Sequence, residues 1–205
     1  GGRAILSQHQ GDQLGRMDAL DVDFWGMTDH AEQVPNPFTS TGVLHEHIQS
    51  HWISVRRRMF MSEAWRTYWA EMPPILSYTD SILGHESKFT HHFKTLGYAA
   101  KVAFPNQDYS TWHPAFYDAE ALLDAGCPAL KRRPFFHDPL LLDRHAIIAR
   151  RYVEKAESLG YSSEMIYKNI TRSSQPKAMS TNAAMLEIMP DDDIAYQADK
   201  PLRLA

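Results

Sequence analysis

Hydrophobic and polar positions along the chain alternate between the two-residue period of a β-strand and the 3.6-residue period of a helix. Residues 8–20 have a helical pattern, and residues 22–28 then alternate as a strand. This strand ends at the polar pair Asp29 and His30. Because α/β proteins place their chemistry where a strand meets a polar loop, the pair marks a candidate site.

The alternation continues through the rest of the chain. Two further strands are predicted over residues 47–55 and 98–104, which are rich in β-branched and aromatic side chains. Turn residues predict a loop over 31–42. Apolar spacing, caps and prolines predict helices over 62–72, 80–96, 111–124, 143–159 and 163–171. The order of elements predicts an α/β fold for residues 1–172.

Composition changes after Arg172, where Ser, Gln, Pro and Asn become frequent. Residues 173–205 are therefore predicted to form a linker or tail toward a further domain. The chain also begins at Gly1 without a methionine, from which we expect a fragment of a longer protein.

The overall composition narrows the class of protein. With 43% hydrophobic residues among 205, the chain can bury a sizeable core. The single cysteine, Cys127, excludes an internal disulfide framework, and the net charge of -4 argues against nucleic acid as a partner. No apolar run is long enough to span a bilayer, and the N-terminus has no signal-peptide pattern. The single cysteine fits a reducing compartment, so a cytoplasmic location is expected.

Glu86 is the strongest candidate for chemistry. It lies in the apolar stripe of the predicted 80–96 helix, four residues after Ile82 and three before Phe89. A carboxylate in that stripe is half buried, and burial raises a carboxyl pKa toward the value that suits a general base. The competing interpretation is a glutamate that faces a cleft and pairs with an arginine.

Other patterns are less specific. His45, His47 and His51 share a strand face, but their spacing does not match the His-Glu-x-x-His zinc helix. Neither Ser50 nor Cys127 lies in a nucleophile-elbow pattern. A metal-dependent hydrolase stays open as an alternative.

Four ordered motifs resemble the rhamnan synthesis protein F family, whose members are glycosyltransferase-like proteins of bacterial cell-surface polysaccharide assembly. The resemblance extends from Met17 to Arg172. Its motifs are Phe24-Trp25-Gly26-Met27-Thr28-Asp29, His47-Ile48-Gln49-Ser50-His51-Trp52, Glu86 with Leu96-Gly97-Tyr98, and Cys127-Pro128-Ala129-Leu130-Lys131-Arg132.

The resemblance implies the C-terminal, acceptor-side half of a type A glycosyltransferase-like (Rossmann-like) fold, followed by helices. It implies that Glu86 deprotonates the acceptor hydroxyl as that hydroxyl attacks the donor sugar. The family's Asn-Asp-Ser-like motif, which corresponds to the metal and nucleotide-diphosphate site, does not occur in this chain. Residues 1–172 would then lack the nucleotide-binding half, and the ligands of any Mg²⁺ or Mn²⁺ would lie outside the chain.

The resemblance also implies roles for other residues. Asp29 is expected to be catalytic beside Glu86, and Lys131 and Arg132 to neutralise a diphosphate. The residues expected to bind substrate are Trp25, His30, His47, Gln49 and Ser50.

The implied partners are a nucleotide-sugar donor and a glycan or lipid-linked glycan acceptor, which would place the protein at the inner face of the plasma membrane. The alternative is a non-catalytic module that binds glycan or a partner protein.

Overall fold

A computed structural model describes residues 8–131, 144–164 and 168, with side chains from residue 14 in the first range and from 151 in the second. The chain divides into two compact units, one of residues 9–122 and one of residues 1–8 and 123–205. The predicted linker over 173–205, most of the 163–171 helix and Arg132 lie outside the described residues. The domain boundary at 172 therefore stays a prediction.

A mixed sheet around a fully buried strand organises the first unit. Strand β1 (Phe24–His30) pairs antiparallel with β2 (His47–Ile48) and β3 (Ile53–Val55), and parallel with β4 (Ala100–Phe104). A parallel pair needs a crossover, which the helices between β3 and β4 supply. The partly parallel sheet and its helices agree with the predicted α/β class.

The helical elements described in the two units come in a definite order. They are α1 (Gln8–Ala19), α2 (Arg57–Phe60), α3 (Glu63–Ala70), α4 (Tyr78–Ser81), a π-helical segment (Ile82–Glu86), α5 (Ser87–Thr95), a 3₁₀ helix (Asn106–Asp108), α6 (Pro114–Tyr117), α7 (Ala119–Asp124) and α8 (Arg144–Ser158).

Side-chain alternation along β1 gives the sheet two different faces. Phe24 packs in an aromatic cluster with Ile48, Phe89 and Phe93. Trp25, its neighbour, packs instead with Met17 of α1 and Val22. By the same alternation Thr28 and His30 share the face of Phe24, whereas Asp29 shares the face of Trp25.

The predicted continuous strand over residues 47–55 is wrong. Two short strands, β2 and β3, are separated by residues 49–52. The polar side chains of Gln49 and Ser50 make hydrogen bonds of their own, to Thr28, His113 and Glu86. The break stays attached to β1, because the Gln49 N–H donates to the Thr28 carbonyl at 3.0 Å and the Met27 N–H to the Trp52 carbonyl at 3.3 Å.

The predicted helix over 111–124 is also interrupted. It forms as α6 and α7, which are separated at Asp118. The carboxylate of Asp118 accepts hydrogen bonds from the hydroxyls of Ser110 and Thr111, which anchors the preceding turn where a longer helix was expected.

The other predicted helices of the first unit are confirmed. Ser62 caps α3, since its hydroxyl accepts from the Trp65 N–H at 3.1 Å. The 80–96 helix forms as α4, the π-helical segment and α5, and Gly97 follows it with a φ of 89°. A π-helical segment inside a helix was not expected from the periodicity.

In the second unit α8 confirms the predicted amphipathic helix. Tyr152, Val153 and Ala156 are buried along one face, and Lys155 Nζ lies 2.5 Å from Asp124 Oδ1.

The single cysteine, Cys127, is buried in the second unit. Burial raises the pKa of Cys127 to about 11, so its thiol is protonated near neutral pH and is a poor nucleophile.

Candidate functional site

Five buried polar side chains meet at the C-terminal end of β1. We call this set the histidine cluster, and each member is at most 8% exposed. The cluster consists of Thr28, His30, His47, Gln49 and His113. The His30 ring stacks on His47 and meets the edge of His113, each at a centroid distance of 5.2 Å.

A chain of hydrogen bonds orders one half of the histidine cluster. The Thr28 hydroxyl donates to Gln49 Oε1 at 2.7 Å, and Gln49 Nε2 donates to His113 Nε2 at 2.7 Å. With this amide orientation His113 accepts through Nε2, and its imidazole is neutral.

Backbone carbonyls orient the other two imidazoles. Nδ1 of His30 lies 2.7 Å from the Ala31 carbonyl oxygen, and Nδ1 of His47 lies 2.7 Å from that of His45. A carbonyl only accepts, so each Nδ1 carries the proton and donates it. The Nε2 of His47 then faces Glu86, with 3.7 Å between Nε2 and Oε1.

Glu86 is the last residue of the π-helical segment and lies beside the histidine cluster. The N–H of Ser50 donates to Glu86 Oε2 at 3.1 Å, and the Ser50 hydroxyl donates to the same oxygen. The side chain is 14% exposed, which agrees with the expected half burial. Its described contacts are with Ser50 and His47, and the competing interpretation, a pairing with an arginine, stays a prediction.

Asp29 points away from the histidine cluster. It is 3% exposed, and its two oxygens accept from Asn106, one from the N–H at 2.6 Å and one from the side-chain amide at 2.9 Å. Burial raises the pKa of Asp29 above its usual 3.8, although the Asn106 hydrogen bonds oppose the shift. This geometry ties Asp29 to the turn after β4, and its expected catalytic role stays a prediction.

The structure brings together five of the residues expected from the sequence: His30, His47, Gln49, Ser50 and Glu86. Trp25 is not among them, because it is buried in the core with its indole N–H 3.3 Å from Asp18 Oδ1. It presents no open ring face for a sugar. Lys131 belongs to the second unit, so its expected role stays a prediction, as does that of Arg132.

Sequence reasoning missed four residues of this region. Thr28 and His113 complete the hydrogen-bond chain, Trp112 lies 4.9 Å from His30 between ring centroids, and Asn106 holds Asp29. Thr28 could have been found, since it shares the alternating face of His30. No local pattern links residues 106–113 to β1.

A divalent metal ion was expected with the nucleotide-sugar donor. Within residues 8–131, 144–164 and 168, no group of three or more His, Cys, Asp or Glu side chains is arranged to hold a metal ion. The described residues therefore do not fit such an ion. That its ligands lie outside the chain stays a prediction.

Comparison with known proteins gives the family. The family model described as rhamnan synthesis protein F matches residues 12–200. Because the match covers most of the chain, the protein belongs to the rhamnan synthesis protein F family and is involved in the synthesis of rhamnan polysaccharide. No curated protein and no solved structure gives a significant match. No helix in the described part of the chain is long and apolar enough to cross a membrane.

Proposed function

We propose that the protein is a glycosyltransferase that transfers a sugar, rhamnose or a related hexose, from a nucleotide-sugar donor to a glycan acceptor, with Glu86 as general base. One observation carries the proposal. The Glu86 carboxylate lies at a strand-end cluster of an α/β sheet and is fixed at one oxygen by both donors of Ser50.

The proposed reaction is a single displacement. Glu86 takes the proton of an acceptor hydroxyl while that oxygen forms a bond to the anomeric carbon of the donor sugar. The bond from that carbon to the diphosphate oxygen breaks, and its electron pair leaves with the nucleoside diphosphate. A carboxylate suits this role because the proton moves only as the new bond forms.

Ser50 and His47 would support the base in different ways. Ser50 holds Oε2 of Glu86 and thereby fixes the orientation of the carboxylate. His47 is 1% exposed, so it acts from behind the carboxylate as a positioning residue, a change from the expected direct contact with sugar hydroxyls. Its protonated Nδ1 is held by the His45 carbonyl, which keeps Nε2 directed at Glu86.

The remaining parts of the proposal follow from the family. The fold would be the acceptor-side half of a type A glycosyltransferase, with Lys131 and Arg132 near the departing diphosphate. The reaction would take place in the cytoplasm at the inner face of the plasma membrane, where a lipid-linked glycan presents its end.

A non-catalytic glycan-binding module is the second candidate. Two tryptophans with exposed rings, Trp52 and Trp69, line a surface cleft beside Ser50, and such rings serve binding without catalysis equally well.

Replacing Glu86 by glutamine separates the two functions. A panel of nucleotide sugars with Mg²⁺ or Mn²⁺ and a rhamnan acceptor is assayed with this chain and with a form extended upstream. Glu86→Gln should lower turnover by about 10²–10⁴-fold, because glutamine cannot accept the proton. The urea midpoint should change little, since the amide keeps an oxygen for Ser50.

Glu71→Gln is the matched control, because Glu71 is an exposed carboxylate at the end of α3. It should keep wild-type turnover. Wild-type turnover in Glu86→Gln would exclude Glu86 as base, and glycan binding without turnover in both wild-type forms would favour the binding module.

A further inference from the structure

A cleft of about 480 Å³ lies on the surface of the first unit, and Ser50, which bonds to the Glu86 carboxylate, is one of the residues that line it. Its walls come from the break between β2 and β3, from β3 itself, from α3 and from the π-helical segment with α5. The volume falls within the range of about 300–1,000 Å³ that small-molecule sites occupy. Its lining includes Ser50, Trp52, Trp65, Trp69 and His85.

Two of these tryptophans expose large apolar rings. Trp52 is 44% exposed and Trp69 is 38% exposed. Trp69 packs against four rings, those of Trp65, Tyr68, His85 and Phe89, at centroid distances of 5.4, 5.4, 5.0 and 6.4 Å. Within the described part of the chain no aromatic ring lies against Trp52. Two partly exposed indole rings that line one concave site indicate a ligand that stacks on them.

The polar groups of the cleft are neutral or only weakly basic. Among the residues that the structure describes, no Lys, Arg, Asp or Glu lines it. His85 forms a hydrogen bond with the Tyr68 hydroxyl at 2.8 Å, and burial lowers the pKa of His85, which favours its neutral form. A ligand here is therefore recognised by stacking and by hydroxyl-sized hydrogen bonds rather than by charge.

A second cleft on the same unit has the opposite character. It has a similar volume, about 480 Å³, but Lys88 and the histidines His45, His91 and His92 line it. The contrast argues that an uncharged ligand would occupy the tryptophan cleft, whereas a phosphate would be drawn elsewhere.

We infer that the tryptophan cleft is the acceptor subsite, which binds a neutral deoxyhexose unit of the rhamnan chain on Trp52 and Trp69. The inference rests on the proposed function, because Ser50 both lines this cleft and holds the Glu86 carboxylate. A 6-deoxyhexose carries a methyl group in place of a hydroxymethyl group, which widens the apolar surface available to an indole. The subsite would thus hold the acceptor next to the base.

The test is calorimetric binding of a rhamnose oligosaccharide in the absence of donor. Trp52→Ala and Trp69→Ala should each weaken binding by about three- to tenfold, from the loss of a stacking face. Trp52→Phe should recover most of the affinity. Phe60→Ala removes a ring of similar exposure, 40%, on α2 outside the cleft, and should bind as the wild type does.

Glu86→Gln keeps the two proposals distinguishable. It should bind the oligosaccharide like the wild type even though it fails to turn over. The inference is overturned if the wild type does not bind the oligosaccharide, or if both alanine variants bind it normally. It is also overturned if Trp52→Phe loses as much affinity as Trp52→Ala, because the loss would then not come from stacking.

Discussion

The two ends of β1 each bury an aspartate, and the two are held in different ways. Asp23, just before the strand, is 8% exposed and bonds to the Arg58 guanidinium and, at 2.8 Å, to the Ala99 N–H. Asp29, near the other end, bonds only to the uncharged Asn106 among the hydrogen bonds described here. Burial would raise the pKa of both. The Arg58 and Ala99 contacts reverse this at Asp23 and lower its pKa, whereas that of Asp29 stays raised.

The difference separates a structural end from the end at which we propose the chemistry. At Asp23 a cation neutralises the buried charge, and the contact joins β1 to α2 and to the chain before β4. At the other end Asp29 bonds to the amide of Asn106, and a second carboxylate, Glu86, bonds to Ser50 and lies near His47. A carboxylate that is paired with arginine is a poor base, so the Asp23 end is unsuited to proton transfer.

Among the changes considered for the two ends of β1, removing Asp23 should lower the stability of the fold most. We expect Asp23→Ala to lower the free energy of unfolding by about 2 kcal/mol, because hydrogen bonds to a charged group are lost while the exposed Arg58 stays solvated. Urea unfolding measures the change, and catalytic turnover should fall no further than the folded fraction does.

Asp21→Ala is the control for this variant. Asp21 is 90% exposed and pairs with the same Arg58 at 2.8 Å, so its removal should cost at most about 0.5 kcal/mol. Equal losses in the two variants would contradict the structural role given to the buried Asp23.

Substitutions of His47 test whether this residue positions the proposed base, Glu86. His47→Asn keeps a donor near the His45 carbonyl but no longer reaches Glu86, whereas His47→Gln keeps the reach. We expect His47→Asn to lower kcat by about tenfold with little change in the acceptor KM, because the base loses its support. His47→Gln should retain more activity, and the pH profile of kcat should shift only in His47→Asn.

A rise in KM with unchanged kcat in either variant would mean that His47 binds substrate, as the sequence first suggested.

The smallest expected effect is on pH dependence. Because the pKa of Asp29 is raised in the folded state, its protonation stabilises the fold below pH 3.8, and this contribution is lost as the pH rises through the raised pKa. Asp29→Asn should remove this loss of stability, because an amide does not titrate in this pH range. Asp23 has the opposite sign, since its contribution is present above 3.8 and is lost as the pH falls through its lowered pKa.

Urea titrations at a series of pH values test both signs. The free energy of unfolding of the wild type minus that of Asp29→Asn should decrease as the pH rises. The same difference for Asp23→Asn should increase as the pH rises.

The fold was predictable where a local pattern decides structure. Ser62 begins a helix by accepting a backbone hydrogen bond, and Gly97 ends one by adopting a positive φ. Both effects act within a few residues of the chain. The strand over 47–55 failed because its polar residues bond to distant partners, Gln49 to His113 and Ser50 to Glu86. Periodicity carries no information about such contacts.

The candidate site was predictable in the same uneven way. Glu86 was found because a carboxylate in an apolar stripe is a local anomaly. His113 and Asn106 were missed because only the tertiary fold brings them to β1. Trp25 was placed wrongly because the neighbouring residues of a strand face opposite sides, so it could not share a site with Thr28 and His30.

The π-helical segment makes the position of Glu86 sensitive to chain length. The hydrogen bonds of a π-helical turn run from residue i to i+5 rather than to i+4, so the turn holds one residue more than an α-helical turn. Deleting one residue between Ile82 and Glu86 would let this wide turn close to an α-helical one, and the change would be absorbed where Glu86 lies. A one-residue gap at Gly84 in a related sequence would thus mark the loss of the wide turn at the proposed base rather than a neutral change in loop length.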